Sequence, residues 1–147
     1  MNIRQAKPGD ETEIFDLIYA LAVYEKAPEQ VTNTPNQLAI DLFKDKICSA
    51  LIAEEDNQIV GFSLYYISYS TWKGKCLYLE DFFVIPEKRQ TGIGEKLFQR
   101  TVEIAQEIGV KRMDWQVLEW NEPALNFYRK QQAILDPEWI NGRLFFD

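Results

Sequence analysis

The sequence predicts one α/β domain, a central mixed and mostly antiparallel sheet flanked by helices, and three observations carry that reading. Short segments of alternating or β-branched apolar residues recur along the chain as strands. Between them run stretches with apolar residues at helical spacing, the clearest from Ile93 to Ile108. No Ser/Gly/Pro-rich linker and no internal repeat divides the 147 residues, so a single domain over residues 1–147 is expected.

Ile3, among polar neighbours, gives a short first strand that ends at Lys7-Pro8-Gly9. Asp10 with Glu13 has the pattern of a capping box, and Ile14, Leu17, Ile18 and Leu21 continue it at helical spacing until Ala27-Pro28. Thr34-Pro35-Asn36-Gln37 is a second helix start, with proline at the first helical position, leading to Leu38, Leu42 and Phe43. Three strands are expected next: Ser49–Ala53, then Ile59–Tyr69 after the turn 54–58, then Cys76–Ile85 after a hairpin-like turn at Trp72-Lys-Gly-Lys75. Ile93, Leu97, Thr101, Ile104, Ala105 and Ile108 mark a helix closed by Gly109. Met113–Leu118 reads as a strand, and Asn121 caps a short helix through Arg129 with Pro123 in its first turn. Gly142–Phe146 is the expected closing strand, which gives the order β-α-α-β-β-β-α-β-α-β.

Composition removes several classes of function. A hydrophobic content of 46% supports a packed core and argues against disorder. No apolar run approaches the ~18 residues of a membrane span, and Met1-Asn-Ile-Arg-Gln has no signal-peptide core, so a cytoplasmic protein is expected. The net charge of −7 disfavours nucleic acid and suits a cationic partner. Cys48 and Cys76 lie far apart and read as buried free thiols, with no metal-type spacing. The chain has no histidine, which removes Ser-His triads and most zinc sites. Proton chemistry is left to carboxylates, tyrosine, lysine, cysteine or water.

The most informative stretch is the strand Leu79–Ile85, broken at Pro86 and followed by Arg89-Gln-Thr-Gly-Ile-Gly94 at the start of a long helix. Such a loop gathers backbone N–H groups and the positive end of a helix dipole at one point, a site for phosphate oxygens. Alone, the two glycines would equally serve a tight strand-to-helix turn.

This loop, in this element order, resembles the GCN5-related N-acetyltransferase superfamily. Gly61-Phe-Ser-Leu-Tyr-Tyr66, Leu77-Tyr-Leu-Glu-Asp-Phe-Phe-Val84, Glu119-Trp-Asn-Glu-Pro123 and Asn126-Phe-Tyr128 are similar to the spermidine/spermine (diamine) and thialysine N-acetyltransferase branch. The resemblance runs from Ile3-Arg4 to Arg143-Leu-Phe145. It implies acetyl-CoA as donor, an amine as acceptor, direct attack without an acetyl-enzyme, no metal, and a homodimer. It also implies residue roles. The backbone of Phe82, Phe83 and Val84 faces the acetyl and pantetheine portion. Arg89, Gln90, Thr91, Gly92, Ile93, Gly94 and Glu95 wrap the pyrophosphate, mostly through main-chain N–H groups. Asn121, with Pro123 and Ala124 at the start of its helix, touches the pantetheine arm, and Tyr128 is the general acid. Tyr24 and Glu25 match a position that contacts the polyamine.

The chemistry accords with these roles. A lysine-like amine, with a pKa near ~10.4, must lose a proton before it attacks. Glu80 is the candidate base, because alternation puts its side chain on the face of Phe82 and Val84 and sends Asp81 to the other. Asn121 and Tyr128 stand two helical turns apart and share a face, and a neutral tyrosine is a suitable proton donor to a departing thiolate. Arg89 has the forked donor that suits pyrophosphate. Tyr24 and Glu25 offer an aromatic face and a carboxylate to an ammonium group, and Asp114, Trp115, Gln116, Glu119 and Glu138 are further candidates for the same channel. Three departures from the family pattern stand out: Ile140 where a carboxylate is expected, Gln90 where glycine is common, and no glycine in Gln131-Gln132-Ala133. The first argues against long polyamines and leaves shorter diamines or lysine-like amines. A protein amino group as acceptor, or a non-catalytic CoA-binding sensor, are the competing readings.

Overall fold

A computed structural model describes residues 1–146. Among them five strands join in one sheet, in the order β1 (Asn2–Gln5), β2 (Ser49–Glu55), β3 (Gln58–Ser70), β4 (Gly74–Val84) and β5 (Arg112–Asp114). Neighbouring strands run antiparallel except β4 and β5, which are parallel, so the sheet is mixed as expected. The helices are α1 (Glu11–Tyr24), α2 (Pro35–Ala39), α3 (Ile93–Ile108) and α4 (Glu122–Lys130). The chain forms two compact units, one of Met1–Gln116 and one starting at Val117.

In the first unit, the period-2 alternation of the strands sorts residues to two sheet faces. Ile52, Phe62 and Phe83, cross-strand neighbours, join Ile14 and Leu17 of α1 and Leu38 and Leu42 near α2 in one core. Ser63, one residue on from Phe62, lies on the other face and meets Thr101 of α3 through a 2.8 Å hydroxyl–hydroxyl hydrogen bond; Thr101 donates at 2.8 Å to the Leu97 carbonyl. The Thr101 hydroxyl is thus buried without being orphaned. Phe62, Ile14, Leu51, Leu77 and Leu97 are almost wholly withdrawn from solvent, each contributing about 1.5–3 kcal/mol of burial.

Several local expectations hold. Thr34 caps α2, its hydroxyl accepting from the Gln37 N–H at 3.1 Å. Gly109, at φ 87°, ends α3, and Asn121 caps α4 by accepting from the Ala124 N–H at 3.3 Å. Others are corrected. Asp10 does not form a capping box: its carboxylate takes the Arg4 guanidinium at 2.8 Å and the Lys7 N–H at 2.8 Å, while Glu13 accepts from the Ile59 N–H. A cation delivered from β1 outcompetes the helix's own N–H groups for Asp10. After α2 the helix loosens into a π-turn over Ile40–Lys44. Cys48 is half-buried rather than buried. β5 runs over Arg112–Asp114 and so shares only Met113 and Asp114 with the expected 113–118.

In the second unit no strand forms at Gly142–Phe146. That segment makes no ladder with any strand, and its apolar side chains stand in solvent, Phe146 at 94% exposure. A strand needs a neighbour to satisfy its backbone, and here the chain supplies none. The turn after α4 solves its missing glycine another way. Gln132 itself adopts φ 62°, with N–H donations from Gln132 to the Arg129 carbonyl and from Ala133 to the Tyr128 carbonyl, a helix stop normally made with glycine.

Candidate active site

Two breaks in the regularity of β4 build the first half of the site. β4 and β5 pair only over Cys76–Tyr78, so from Leu79 to Val84 no strand among the described residues runs along that edge of β4. On the other edge, Tyr65 of β3 faces Leu79 while Leu64 faces Asp81, which leaves Glu80 as one extra residue in β4. A bulge of this kind bends the strand and re-aims its side chains.

The bulge breaks the alternation expected at Glu80, whereas Asp81 lies on the face opposite Phe82 as expected. Asp81, opposite Leu64, lies on the α1 face together with Phe83. Glu80 is exposed and close enough to Tyr66, across the hairpin, to add to the upward push that burial gives the Tyr66 hydroxyl. Phe82 is on the α3 face, its ring edge-on to Phe98 at 5.6 Å. Asp81 therefore does not point away from Glu80; it sits beside it, facing Glu25 at the end of α1. Burial, then Glu80, then Glu25 push the Asp81 carboxyl up from an ordinary 3.8 to about 7. Burial also raises Glu25. The Asp81 side chain takes part in no hydrogen bond or ion pair among the described residues, and neither of its carboxylate oxygens is sealed from solvent. Sequence reasoning ranked this residue below Glu80 because parity along a strand shows a bulge only when the partner strand's register is known.

The loop after β4 has the form expected of an anion cradle. Pro86–Lys88 makes a single 3₁₀ turn, Thr91 donates its hydroxyl to the Lys88 carbonyl, and Gln90 takes φ 61°, a left-handed conformation that glycine would adopt without strain. Gly92, at φ 89°, starts α3 with no side-chain cap. The first helical bond runs from the Lys96 N–H to the Gly92 carbonyl, so the N–H groups of Ile93, Gly94 and Glu95 have no partner within the helix. A methyl group placed on Gly92 would meet nothing within 4 Å, so the space beside this start of the helix is open. On Gly94 it would come 3.7 Å from Val84 and 3.8 Å from Phe82, which packs the start of α3 on the end of β4.

The side chain of Arg89 also reaches beyond the loop. Its Nε donates to the Val84 carbonyl at 3.0 Å and its guanidinium lies 4.9 Å above the Tyr24 ring and 5.3 Å above that of Phe83. The fork thus spans from the phosphate-type loop to the end of α1, and one face of Tyr24 already carries a cation. Asp114 is held by Arg112 at 2.8 Å, and Trp115 packs edge-on against Phe98 at 5.6 Å. Trp115 therefore belongs to the α3 face, opposite Asp81 and Glu25, and Gln116 is exposed.

The second unit holds the remaining candidates. Asn121 and Tyr128 are both buried, and Phe127 and Tyr128 meet edge-on at 5.5 Å. Pro123 and Ala124 form the first turn of α4. Glu119 and Glu138 are exposed. Among the described residues no helix is long and apolar enough to cross a membrane, and no group of three or more potential ligands is placed to hold a metal ion.

Comparison with known proteins points in one direction. A model of the acetyltransferase (GNAT) family matches residues 13–133. The thialysine N-epsilon-acetyltransferase of Bos taurus is 40% identical over 136 residues, which cover 86% of this chain and 80% of that protein. A human spermidine/spermine N(1)-acetyltransferase-like protein 1 is 36% identical over 140 residues, 90% of this chain and 20% of the longer protein. Among solved structures, an aminoglycoside acetyltransferase from an uncultured soil metagenomic sample superposes with a TM-score of 0.81 at 19% identity, covering 99% of this chain and 96% of that one.

Proposed function

Because the chain belongs to the acetyltransferase (GNAT) family, on a match over residues 13–133, we propose that it moves an acetyl group from acetyl-CoA to the primary amine of a small cationic acceptor. The observation that carries the acceptor class is the gathering of Glu25, Glu80 and Asp81 at the bulge of β4. Three carboxylates at one place, in a protein of net charge −7, recognise an ammonium group and repel anionic acceptors. The names of the relatives, thialysine and spermidine/spermine acetyltransferases, support the same class. Lysine-like amines and short diamines fit best, since Ile140 stands where the family's longer-polyamine enzymes carry an acid.

The residues present fit the donor. The open space above Gly92 and the partnerless N–H groups of Ile93, Gly94 and Glu95 suit a pyrophosphate, with Gln90 and Thr91 shaping the turn. Arg89 contributes its main chain there, its side chain being engaged with Val84 and Tyr24. The edge of β4 from Phe82 through Val84, which no strand covers, offers backbone groups to the acetyl and pantetheine portion. Asn121, Pro123 and Ala124 serve the rest of the arm. When bound, acetyl-CoA supplies the acyl group as a thioester with a thiolate leaving group. Tyr128 is the proton donor to that thiolate, and the carboxylate cluster holds the acceptor and takes its proton. The family match spans both compact units, which supports reading residues 1–147 as one catalytic domain. A homodimer completes the reading, supported by exposed apolar residues such as Ile140 and Phe146 in the terminal segment, which association would cover.

Thiol release from acetyl-CoA against spermidine, spermine, putrescine, lysine, thialysine and a short basic peptide tests the function. Saturable turnover with a short diamine or lysine-like amine is expected. Turnover with the peptide alone would replace the acceptor class, and CoA binding without any turnover would leave a sensor. In the active system, Tyr128→Phe is expected to bind CoA as the wild type does while kcat falls by roughly 100-fold or more. An unchanged kcat would remove Tyr128 from the mechanism.

A further inference from the structure

We propose that the Arg89 side chain couples the two substrate sites. It ties Tyr24 and Glu25, at the end of α1, to the strand edge and loop that take the donor, so that coenzyme A tightens the binding of the acceptor. The inference goes beyond the acetyltransferase reading above but rests on it for what each site holds.

Arg89 belongs to the donor side through its backbone. Its N–H closes the 3₁₀ turn on the Pro86 carbonyl at 3.2 Å, and the left-handed Gln90 and Gly92 follow. The side chain then returns to β4, where Nε donates to the Val84 carbonyl at 3.0 Å. That carbonyl has a defined direction. Ile85 gives its N–H to the Val60 carbonyl of β3 at 2.9 Å. Across the same trans peptide the Val84 oxygen points the other way, toward the edge that β5 leaves uncovered. From there the guanidinium reaches the α1 face, 5.3 Å from the Phe83 ring and 4.9 Å from that of Tyr24. Tyr24 is the last residue of α1, and Glu25 caps it.

What Arg89 avoids is as informative as what it touches. Arg4, Arg100, Arg112 and Arg129 each pair with a carboxylate. Arg89 has no acidic partner among the described residues, although Glu25 adjoins Tyr24. Burial alone raises Glu25, and no cation lowers Asp81. Arg89 therefore steadies the end of α1 without neutralising the carboxylates that attract the acceptor. A guanidinium suits this double use, because it donates in its plane to a carbonyl while its delocalised charge rests on aromatic rings. The last N–H groups of α1, those of Glu25, Lys26 and Ala27, bond back into the helix, to Leu21, Val23 and Ala22 at 2.9, 3.0 and 2.9 Å. When the loop and the Val84 edge hold the donor, Arg89 loses freedom, and Tyr24 and Glu25 lose it with Arg89. The acceptor then meets groups already ordered, which is positive cooperativity.

Two measurements test the coupling, and one of them needs no acceptor. Hydrogen exchange of the Glu25, Lys26 and Ala27 amides should slow by roughly tenfold when coenzyme A is added to the wild type. The same amides should not respond in Arg89→Met, with exchange along α3 showing that variant folded. Arg89→Lys should restore part of the response, because it keeps the charge but not the fork. In calorimetric titrations, coenzyme A should raise the affinity for thialysine, lysine or putrescine by about tenfold in the wild type and not at all in Arg89→Met. Coenzyme A itself should bind Arg89→Met within about threefold of the wild type, since main-chain N–H groups carry that contact. In turnover, acceptor KM should rise about tenfold with kcat nearly kept. Tyr24→Phe, which keeps the ring, should retain the coupling, and Tyr24→Leu should lose it. No slowing in the wild type, or equal slowing or equal coupling in Arg89→Met, would overturn the proposal. So would a loss of coenzyme A affinity of ~100-fold in Arg89→Met, which would make the side chain a phosphate ligand. Failure of every amine to bind or react would strike the acceptor reading instead, and the exchange experiment would still decide the role of Arg89.

Discussion

Gly92→Val should lower the affinity for coenzyme A by at least ~100-fold, equivalent to about 2.7 kcal/mol, measured by calorimetric titration. Two effects converge at that position. Gly92 sits at φ 89°, a conformation that costs an L-residue roughly 1–2 kcal/mol and a β-branched one more. The added side chain would also fill open space at the start of α3, next to the N–H groups a pyrophosphate would use. The two effects can be separated within the same helix. Gly109, at the other end of α3, has φ 87° and equally open surroundings. Gly109→Val should therefore lose a similar amount of stability and leave coenzyme A binding as it was. Equal losses of affinity in both variants would mean that the glycine matters only for the shape of the helix end. Gly61 differs from both. There a Cβ would meet the Phe83 carbonyl oxygen at 3.0 Å and Val84 at 3.1 Å, so a side chain would push β3 and β4 apart.

Asp81→Asn should make the protein more stable at pH 8 and leave its stability nearly unchanged at pH 3.5. The sign follows from proton binding. In the folded protein Asp81 titrates at about 7, against 3.8 when unperturbed, so between those values the folded state holds a proton that the unfolded state has released. Stability then falls as pH rises through this window and levels off above it. At about 1.4 kcal/mol per unit, the difference reaches at most about 4 kcal/mol, enough to shift a urea midpoint visibly. Urea unfolding of both proteins from pH 3.5 to 8.5 should give curves that meet in acid and diverge toward neutrality. Asp10 behaves in the opposite sense. Burial pushes it up, but the Arg4 guanidinium and the Lys7 N–H outweigh that and hold it below its ordinary value. Its contribution is present above the unfolded pKa and disappears as pH falls through the folded one. Parallel curves for wild type and Asp81→Asn would show that Asp81 titrates in the ordinary carboxylate range.

What the sequence made legible was local. Thr34 and Asn121 cap their helices, and Gly109 stops α3, because each interaction involves residues within a few positions of one another. The strand–loop–helix that starts at Leu79 was visible for the same reason. The misreadings were decided outside the element itself. Asp10 left its capping box for an arginine on another strand. Gly142–Phe146 has the composition of a strand but no neighbour to make it one. Glu80 was misplaced because it is the one unpaired residue of β4, where alternation fails, while Asp81 lies opposite Phe82 as alternation had it.

That same residue changes what the gene can tolerate. Losing one codon within a central strand usually turns every later side chain to the wrong face. Glu80 is the exception in β4, since Leu79 and Asp81 already face consecutive residues of β3. Removing it would let the ladder close into regular pairing with Leu79 and Asp81 each still on its present face. The strand would lose its bend and one carboxylate, not its register. Deletion of Leu77, by contrast, would remove a side chain with no measurable exposure and put the strand on one side of it out of phase with the sheet.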